Sequence, residues 1–204
     1  WQNYGGNTLA VPAERPTSLD ALVSHPTTRN LIRVFFLQDR LKGFGKEAAG
    51  AVGYMAPRHV HVIGAGVMGG DIAAWCVLRG MTVTLQDLSK EQIAAAIGRA
   101  ATFLEKKLRD GKLARSALDR LIGDPDGDGL RQADVIIEAI FEDLAAKQAL
   151  FAEIEARARP DALIASNTSS LKLADIAAAL SDPARLVGIH FFNPVMKMPL
   201  VEVV

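Results

Sequence analysis

A histidine and a glutamate near the C-terminal end are the residues best suited to acid–base chemistry. His190 lies in the apolar run Leu186–Phe192, where a neutral imidazole tolerates burial and titrates near neutral pH. Glu202 follows inside the second apolar run Leu200–Val204, and a carboxylate in a buried strand is costly unless it is paired. Pairing with His190 would orient the ring and raise its proton affinity. The alternative is a structural histidine in the core and a glutamate at a sheet edge.

Three glycines between a strand pattern and a helix pattern predict a phosphate-binding turn. Gly64, Gly66 and Gly69 have the G-x-G-x-x-G spacing directly after the apolar run His59–Ile63. In this motif the first glycine permits a tight turn, the second lets the backbone approach a pyrophosphate, and the third lets helix and strand pack closely. The free N–H groups and the dipole of the new helix favour a phosphate at this point.

The position of the next carboxylate supports a dinucleotide as the ligand. The strand pattern Met81–Gln86 ends at Asp87, 18 residues after Gly69, close to the spacing of roughly 20 expected for an acid that binds the adenosine ribose. Such an acid repels a 2′-phosphate and favours NAD over NADP. The alternative is that the glycines serve packing and that Asp87 caps a helix starting near Lys90. The order of strand, glycines, helix, strand and acid favours one half of a Rossmann fold.

The remaining sequence alternates between strand and helix patterns, which predicts a doubly wound parallel α/β sheet. Further strands are expected over 133–140, 162–166 and 186–192, and helices over about 90–109, 114–121, 144–158 and 172–180. Residues 1–16 have the composition of a loop. Helical patterns over 18–25 and 31–41 then form a connector, and the glycine-rich stretch 43–57 is expected to be a linker.

Polar residues that follow the strands should lie together, because ligands of such sheets bind beyond the carboxyl ends of the strands. These residues are Asp87, Glu142, Asn167, Thr168, Ser169, Ser170, His190 and Asn193. Ser170 suits the capping of the next helix, whereas Ser169 could donate a hydrogen bond to an oxygen on a carbon undergoing oxidation. Lys147 is either a surface charge or a contact to a phosphate of cofactor or substrate. A serine hydrolase is not favoured, because the sequence has no G-x-S-x-G.

Composition argues against several classes of protein. The 204 residues are 50% hydrophobic with a net charge of +0, which favours neither nucleic acid nor an anionic membrane as a partner, and the apolar runs are too short to span a membrane. The single cysteine, Cys76, is expected in the core and is compatible with a reducing compartment. The stretch Gly123–Gly129 resembles a calcium loop, but Val135 stands at the position of the bidentate glutamate. No metal site is predicted.

Five strings together resemble the L-3-hydroxyacyl-CoA dehydrogenases. They are Gly64–Gly69, Ile137–Asp143, Ala165–Leu171, Gly188–Val195 and Leu200–Val203. The resemblance covers about 58–204, and its Ser-Asn-Thr-Ser-Ser and His-Phe-Phe-Asn-Pro strings are highly specific. It implies NAD-dependent oxidation of a 3-hydroxyacyl-CoA to a 3-ketoacyl-CoA, with His190 as the general base and Glu202 as its partner. Ser169 and Asn193 would line the substrate and nicotinamide site.

The same resemblance implies a set of NAD-binding residues. They are Gly64, Gly66, Met68, Gly69, Asp87, Ile140, Phe141, Glu142, Lys147 and Asn167. One position departs from the family pattern: Asp71 stands where a glycine is usual and adds a charge near the pyrophosphate turn. Two alternatives stay open, a relative that oxidises a small sugar acid and a dinucleotide-binding protein without activity.

The resemblance also sets expectations for the whole polypeptide. Residues 1–57 are similar to the connector that follows the enoyl-CoA hydratase domain of multifunctional fatty-acid oxidation proteins, and 58–204 would be the NAD-binding domain. We expect a piece of a longer chain that lacks its helical C-terminal dehydrogenase domain. The expected partners are an acyl-CoA and the rest of the polypeptide, with a second copy or a thiolase left open. A cytoplasmic location is expected, with mitochondria and peroxisomes as alternatives.

Overall fold

The computed structural model describes residues 18–51, 56–198 and 200–204. The chain divides into two compact units between residues 55 and 56. In the first unit, helix α1 spans Leu19–Ser24 and helix α2 spans Pro26–Ala51. The loop expected over residues 1–16 lies outside the described residues.

Helix α2 is longer than the sequence pattern predicts. A linker was expected from Gly43 onward, but the helix continues through Gly43, Gly45 and Gly50 to Ala51. A glycine costs a helix only about 1 kcal/mol relative to alanine, and the good helix formers Lys46, Glu47, Ala48 and Ala49 stand between Gly45 and Gly50. The expectation of a linker over these residues is therefore wrong.

The second unit is built on a seven-stranded sheet with the order β3-β2-β1-β4-β5-β6-β7. Its strands are β1 (His59–Ile63), β2 (Thr82–Gln86), β3 (Leu121–Gly123), β4 (Val135–Glu138), β5 (Leu163–Ser166), β6 (Leu186–Phe191) and β7 (Val201–Val203). Strands β1 to β6 are parallel, and β7 runs antiparallel to β6. This is the doubly wound α/β architecture that the sequence predicts.

Helices cover the sheet and form two hydrophobic clusters. They are α3 (Val67–Leu78), α4 (Lys90–Leu108), α5 (Gly111–Leu118), α6 (Leu144–Arg157) and α7 (Leu173–Ala177). Neighbouring strand residues belong to different clusters: Val62 and Ile137 pack with α3 and α4, whereas Ile63 and Ile136 pack with α6. This alternation follows from the two-residue period of a strand. None of the helices within the described ranges is long and apolar enough to cross a membrane.

Three elements, β3, α5 and α7, differ from the prediction because their local signals are weak. Leu121 was expected to end a helix but begins β3, a three-residue edge strand that is too short to show a period. Helix α5 instead begins at Gly111, since the Asp110 carboxylate accepts hydrogen bonds from the Lys112 and Leu113 N–H groups. Helix α7 ends at Ala177 rather than near residue 180.

Two histidines form a polar cluster with strand β2. The His61 side chain is completely buried, with Nδ1 2.7 Å from Thr84 Oγ1 and Nε2 2.9 Å from Gln86 Oε1. His59 Nε2 lies 2.9 Å from the same Thr84 hydroxyl. Burial lowers the pKa of both His61 and His59, outweighing the hydrogen bond and nearby carboxylates that raise it. Both rings are therefore neutral near pH 7 in the folded chain.

These histidines should make the stability of the chain fall in mild acid. Their folded pKa values lie below the unfolded value of about 6.5, so the unfolded chain binds more protons as the pH falls and unfolding is favoured. We expect the urea midpoint to drop between about pH 7.5 and about pH 5.5, and His61→Gln to reduce this drop. An equal drop in the native and His61→Gln chains would contradict a contribution from His61.

Candidate functional site

The glycine turn between β1 and α3 depends on the absence of side chains at two positions. Gly64 has a φ of 103°, and a Cβ there would come within 2.6 Å of the Ala139 carbonyl oxygen. A Cβ on Gly69 would overlap the Gly64 carbonyl oxygen. The first glycine therefore permits the turn, and the third lets α3 pack directly against it.

The start of α3 is open to an anionic ligand. Gly66 is the N-cap of α3, no side chain caps the helix, and an added Cβ on Gly66 would meet no atom within 4 Å. A cavity of about 540 Å³ extends from this turn, lined among others by Gly64, Gly66, Asp87 and Phe141. Backbone N–H groups at a helix start bind phosphate oxygens. The turn and the cavity thus fit the pyrophosphate and adenosine half of a dinucleotide.

Asp87 lies at the carboxyl end of β2 and contacts the turn directly. Its Oδ2 accepts a hydrogen bond of 2.7 Å from the Ala65 N–H, and its Oδ1 accepts one of 3.0 Å from the Ser89 N–H. The alternative that Asp87 caps the next helix is wrong, because the Ser89 hydroxyl caps α4 by accepting from the Gln92 N–H. Asp87 therefore lines the cavity and supports the glycine turn.

A second cavity of about 320 Å³ gathers most of the other predicted site residues. Its lining includes Met68, Ile140, Phe141, Glu142, Asn167, Ser169, His190 and Asn193. Ala139, Ile140 and Phe141 line both cavities, so the two are neighbours across one loop. Gly69, Lys147 and Glu202 are the predicted catalytic or cofactor-binding residues that lie outside both linings.

His190 and Glu202 face each other on the antiparallel strands β6 and β7. They are direct register partners, and His190 Nδ1 lies 3.1 Å from Glu202 Oε2. The His190 side chain is 24% exposed, and its ring centre lies 4.4 Å from that of Phe192. When Glu202 accepts the Nδ1 proton, the lone pair of the imidazole is on Nε2. The pair thus has the arrangement of a base and the carboxylate that orients it.

Glu142 holds the loop that carries Ser169. Its carboxylate accepts hydrogen bonds from the Ser169 N–H at 2.8 Å and from the Thr168 hydroxyl at 2.8 Å. Burial raises the pKa of Glu142, but these bonds and the Lys147 charge together lower it below its usual value. The carboxylate is therefore ionised at neutral pH and fixes the loop.

Lys147 is fully buried, so the alternative of a surface charge is wrong. Its side chain is 1% exposed, and its ammonium donates a hydrogen bond to Glu138 Oε1 and lies 3.6 Å from Glu142 Oε2. The buried Glu138 carboxylate also accepts from the Ser166 hydroxyl at 2.6 Å and from the Ile140 N–H at 2.8 Å. This network connects the ends of β4 and β5 to α6.

Sequence analysis missed Glu138 and Ser166 as parts of the site's support. Glu138 stands within an apolar strand pattern, and a carboxylate there needs a partner; that was the available signal. Ser170 was expected to cap α7, but Lys172 occupies the N-cap without a side-chain bond. The Thr168 hydroxyl closes this turn instead, accepting from the Leu171 N–H at 3.1 Å.

Asn167 connects the strands on either side of it. Its backbone N–H donates to the Glu138 carbonyl, and its side-chain oxygen accepts from the Phe191 N–H at 2.9 Å. Phe191, the donor in the second contact, directly follows His190 in the chain. Asn167 therefore helps to hold β6 in place beside the second cavity.

Comparison with known proteins gives a consistent result. The family described as 3-hydroxyacyl-CoA dehydrogenase, NAD binding domain, matches residues 59–204. Among solved structures, FadB2 of M. tuberculosis is 38% identical with a TM-score of 0.69, and the match covers 73% of this chain and 54% of that one. The 3-hydroxybutyryl-CoA dehydrogenase of Escherichia coli K12 is 40% identical with a TM-score of 0.69. This match covers 73% of the present chain and 32% of the other.

A third similar structure is the dehydrogenase part of multifunctional enzyme 1 from C. elegans. It is 31% identical with a TM-score of 0.65, and the match covers 73% of this chain and 35% of that one. The chain thus spans between a third and about half of the length of these structures.

Proposed function

The chain belongs to the 3-hydroxyacyl-CoA dehydrogenase family through its NAD-binding domain, and from this premise we propose that it oxidises an L-3-hydroxyacyl-CoA to the 3-ketoacyl-CoA. The observation that carries the proposal is the His190–Glu202 pair at a cavity that adjoins the glycine-turn cavity. A hydroxyl group held at His190 would lie next to the space available for a nicotinamide.

In this oxidation the residues at the second cavity and Glu202 have different roles. Bound NAD supplies the acceptor for the hydride that leaves C3 of the substrate. His190 Nε2 takes the proton of the 3-hydroxyl as the C3–O bond becomes a carbonyl, so the substrate loses one hydride and one proton. Glu202 holds the Nδ1 proton and stabilises the imidazolium that forms. The Ser169 hydroxyl and the Asn193 amide position the C3 oxygen from the cavity wall.

The buried network contributes by positioning. Glu142 anchors the Ser169 N–H, and the Glu138–Lys147 pair lies behind it. Because small displacements of a reacting group cost much of the benefit of orientation, these contacts favour a fixed place for the Ser169 hydroxyl. Lys147 thus acts on the site from behind Glu142, through its charge.

We further propose that the chain is the dehydrogenase part of a multifunctional fatty-acid oxidation enzyme. The helical unit that precedes the Rossmann unit supports this, since it is in the place of a connector from a hydratase domain. A similar structure is likewise the dehydrogenase part of a multifunctional enzyme. The remaining wall of the acyl-CoA site would come from a helical domain of the same polypeptide.

Two assays test the reaction. Titration of the chain with NADH, followed by nicotinamide fluorescence, should show saturable binding. The full polypeptide should consume NADH when acetoacetyl-CoA is added and should oxidise 3-hydroxybutyryl-CoA with NAD. Absence of NADH binding would overturn the dinucleotide site, and oxidation of polyol acids in place of acyl-CoA would overturn the substrate class.

Replacement of Asp87 should weaken the discrimination between NADH and NADPH. Asp87→Asn keeps one oxygen that can accept from the Ala65 N–H, loses the acceptor for the Ser89 N–H and removes the charge that repels a 2′-phosphate. The ratio of the NADPH and NADH dissociation constants should fall by about tenfold, since a charge pair near the surface is worth roughly 1–4 kcal/mol at contact distance. Asp87→Ala, which also removes the contact to Ala65, should bind both cofactors more weakly. An unchanged ratio in Asp87→Asn would contradict the assignment.

A further inference from the structure

An arginine from α4 reaches the glycine turn from the side of the helices. Arg99 Nη2 lies 3.1 Å from the Gly66 carbonyl oxygen and 3.3 Å from that of Ala65, and it donates to both. The passage for this side chain depends on Gly70, where a Cβ would come within 3.0 Å of Nη2 and 3.1 Å of the Ala96 Cβ. The arginine therefore has a defined place beside the turn.

The two carbonyl contacts of Arg99 bear on the directions of the next two N–H groups. A peptide unit is planar and trans, so its N–H points away from its C=O. The Ala65 carbonyl shares a peptide plane with the Gly66 N–H, and the Gly66 carbonyl shares one with the Val67 N–H. The Gly66 carbonyl also accepts a hydrogen bond from the Gly70 N–H, so α3 itself orients the Val67 N–H and Arg99 reinforces that orientation. By holding the Ala65 carbonyl on its own side, Arg99 directs the Gly66 N–H to the opposite side of the turn.

The Arg99 guanidinium lies beside Gly70, which directly precedes Asp71 in α3, and its positive charge acts on the Asp71 carboxyl. Asp71 is partly buried, and burial raises its pKa above the usual value although the Arg99 charge acts in the opposite direction. The helix that carries Asp71 is the one whose N-terminus must accept a pyrophosphate. An ionised carboxylate there opposes a doubly charged anion unless a cation offsets it.

We propose that Arg99 is a positioning residue of the dinucleotide site, which aims the turn's N–H groups at the pyrophosphate and offsets the charge of Asp71. This inference rests on the dinucleotide site proposed above. By this inference α4, which lies outside the G-x-G-x-x-G string, contributes to cofactor affinity through the side chain of Arg99.

The test compares ligands with and without a pyrophosphate. Arg99→Gln should raise the dissociation constants of NADH and ADP by about ten- to a hundredfold, the effect of losing hydrogen bonds from a charged group. Binding of adenosine should change little. Arg115→Gln removes an exposed arginine from α5 and serves as the matched control, with native affinity for all three ligands.

A second variant tests the charge by itself. Asp71→Asn should tighten NADH binding in the native background and recover part of the affinity lost in Arg99→Gln. Native NADH affinity in Arg99→Gln would overturn the inference. An equal loss of affinity for ADP and for adenosine would also overturn it, because it would indicate general damage to the fold. If Arg99→Gln does not fold, unchanged or weaker NADH binding by Asp71→Asn overturns it. Failure of the native chain to bind NADH would instead overturn the dinucleotide site.

Discussion

Replacing His190 with glutamine should lower kcat for 3-hydroxyacyl-CoA oxidation by about 10²–10⁴ in the full polypeptide, the range for loss of general acid–base catalysis. Glutamine fills similar space and can still reach Glu202, but its amide does not take the hydroxyl proton. The dissociation constant for NADH should change little, because the glycine turn and Asp87 belong to the other cavity.

The partner carboxylate and a remote histidine provide the comparison variants. Glu202→Gln should lower kcat less than His190→Gln, since an amide oxygen still accepts the Nδ1 proton although it stabilises an imidazolium poorly. His25→Gln, in the separate N-terminal unit, should behave as the native protein. Near-native kcat in His190→Gln would show that another group is the base.

The fold could be predicted where patterns are long and clearly bounded. The β1–α3–β2 unit was predicted correctly, because a β-branched run, a fixed glycine spacing and a second strand follow in order. Strand β3 was missed because three residues at a sheet edge do not show a period. Helix α2 extends past its predicted end, because glycine, which often ends a helix, is tolerated at several positions of this 26-residue helix.

The site was predictable where the cost of burial pointed to a partner. The β6–β7 register places Glu202 opposite His190, as their pairing requires. The expected burial of Glu202 is wrong, since its side chain is 53% exposed on the edge strand β7. The Glu138–Ser166 contact follows equally from register, since these two residues are partners between β4 and β5. Sequence separation does not reveal the register of parallel strands joined through a helix. Predicting this contact required the three-dimensional pairing.

We expect a second large effect, on the free energy of unfolding, when the buried Glu138–Lys147 ion pair is broken. Lys147→Met should lower the free energy of unfolding by about 3–5 kcal/mol, the range for breaking a buried ion pair and leaving one charge without compensation. Glu138 is 0% exposed. In Lys147→Met its carboxylate would keep the hydrogen bonds from the Ser166 hydroxyl and the Ile140 N–H but would lose the ammonium that balances its charge. Urea unfolding followed by circular dichroism measures the change.

The double variant separates loss of packing from loss of charge balance. Lys147→Met combined with Glu138→Gln should recover a large part of the stability, because residues in one network are strongly non-additive and the isolated charge is gone. The exposed Lys112 on α5 offers the control Lys112→Met, expected within about 0.5 kcal/mol of the native chain. A Lys147→Met chain as stable as this control would show that the buried carboxylate does not need its ammonium partner. A double variant no more stable than Lys147→Met would assign the loss to packing of the lysine stem, and the role of Lys147 behind Glu142 would then be steric.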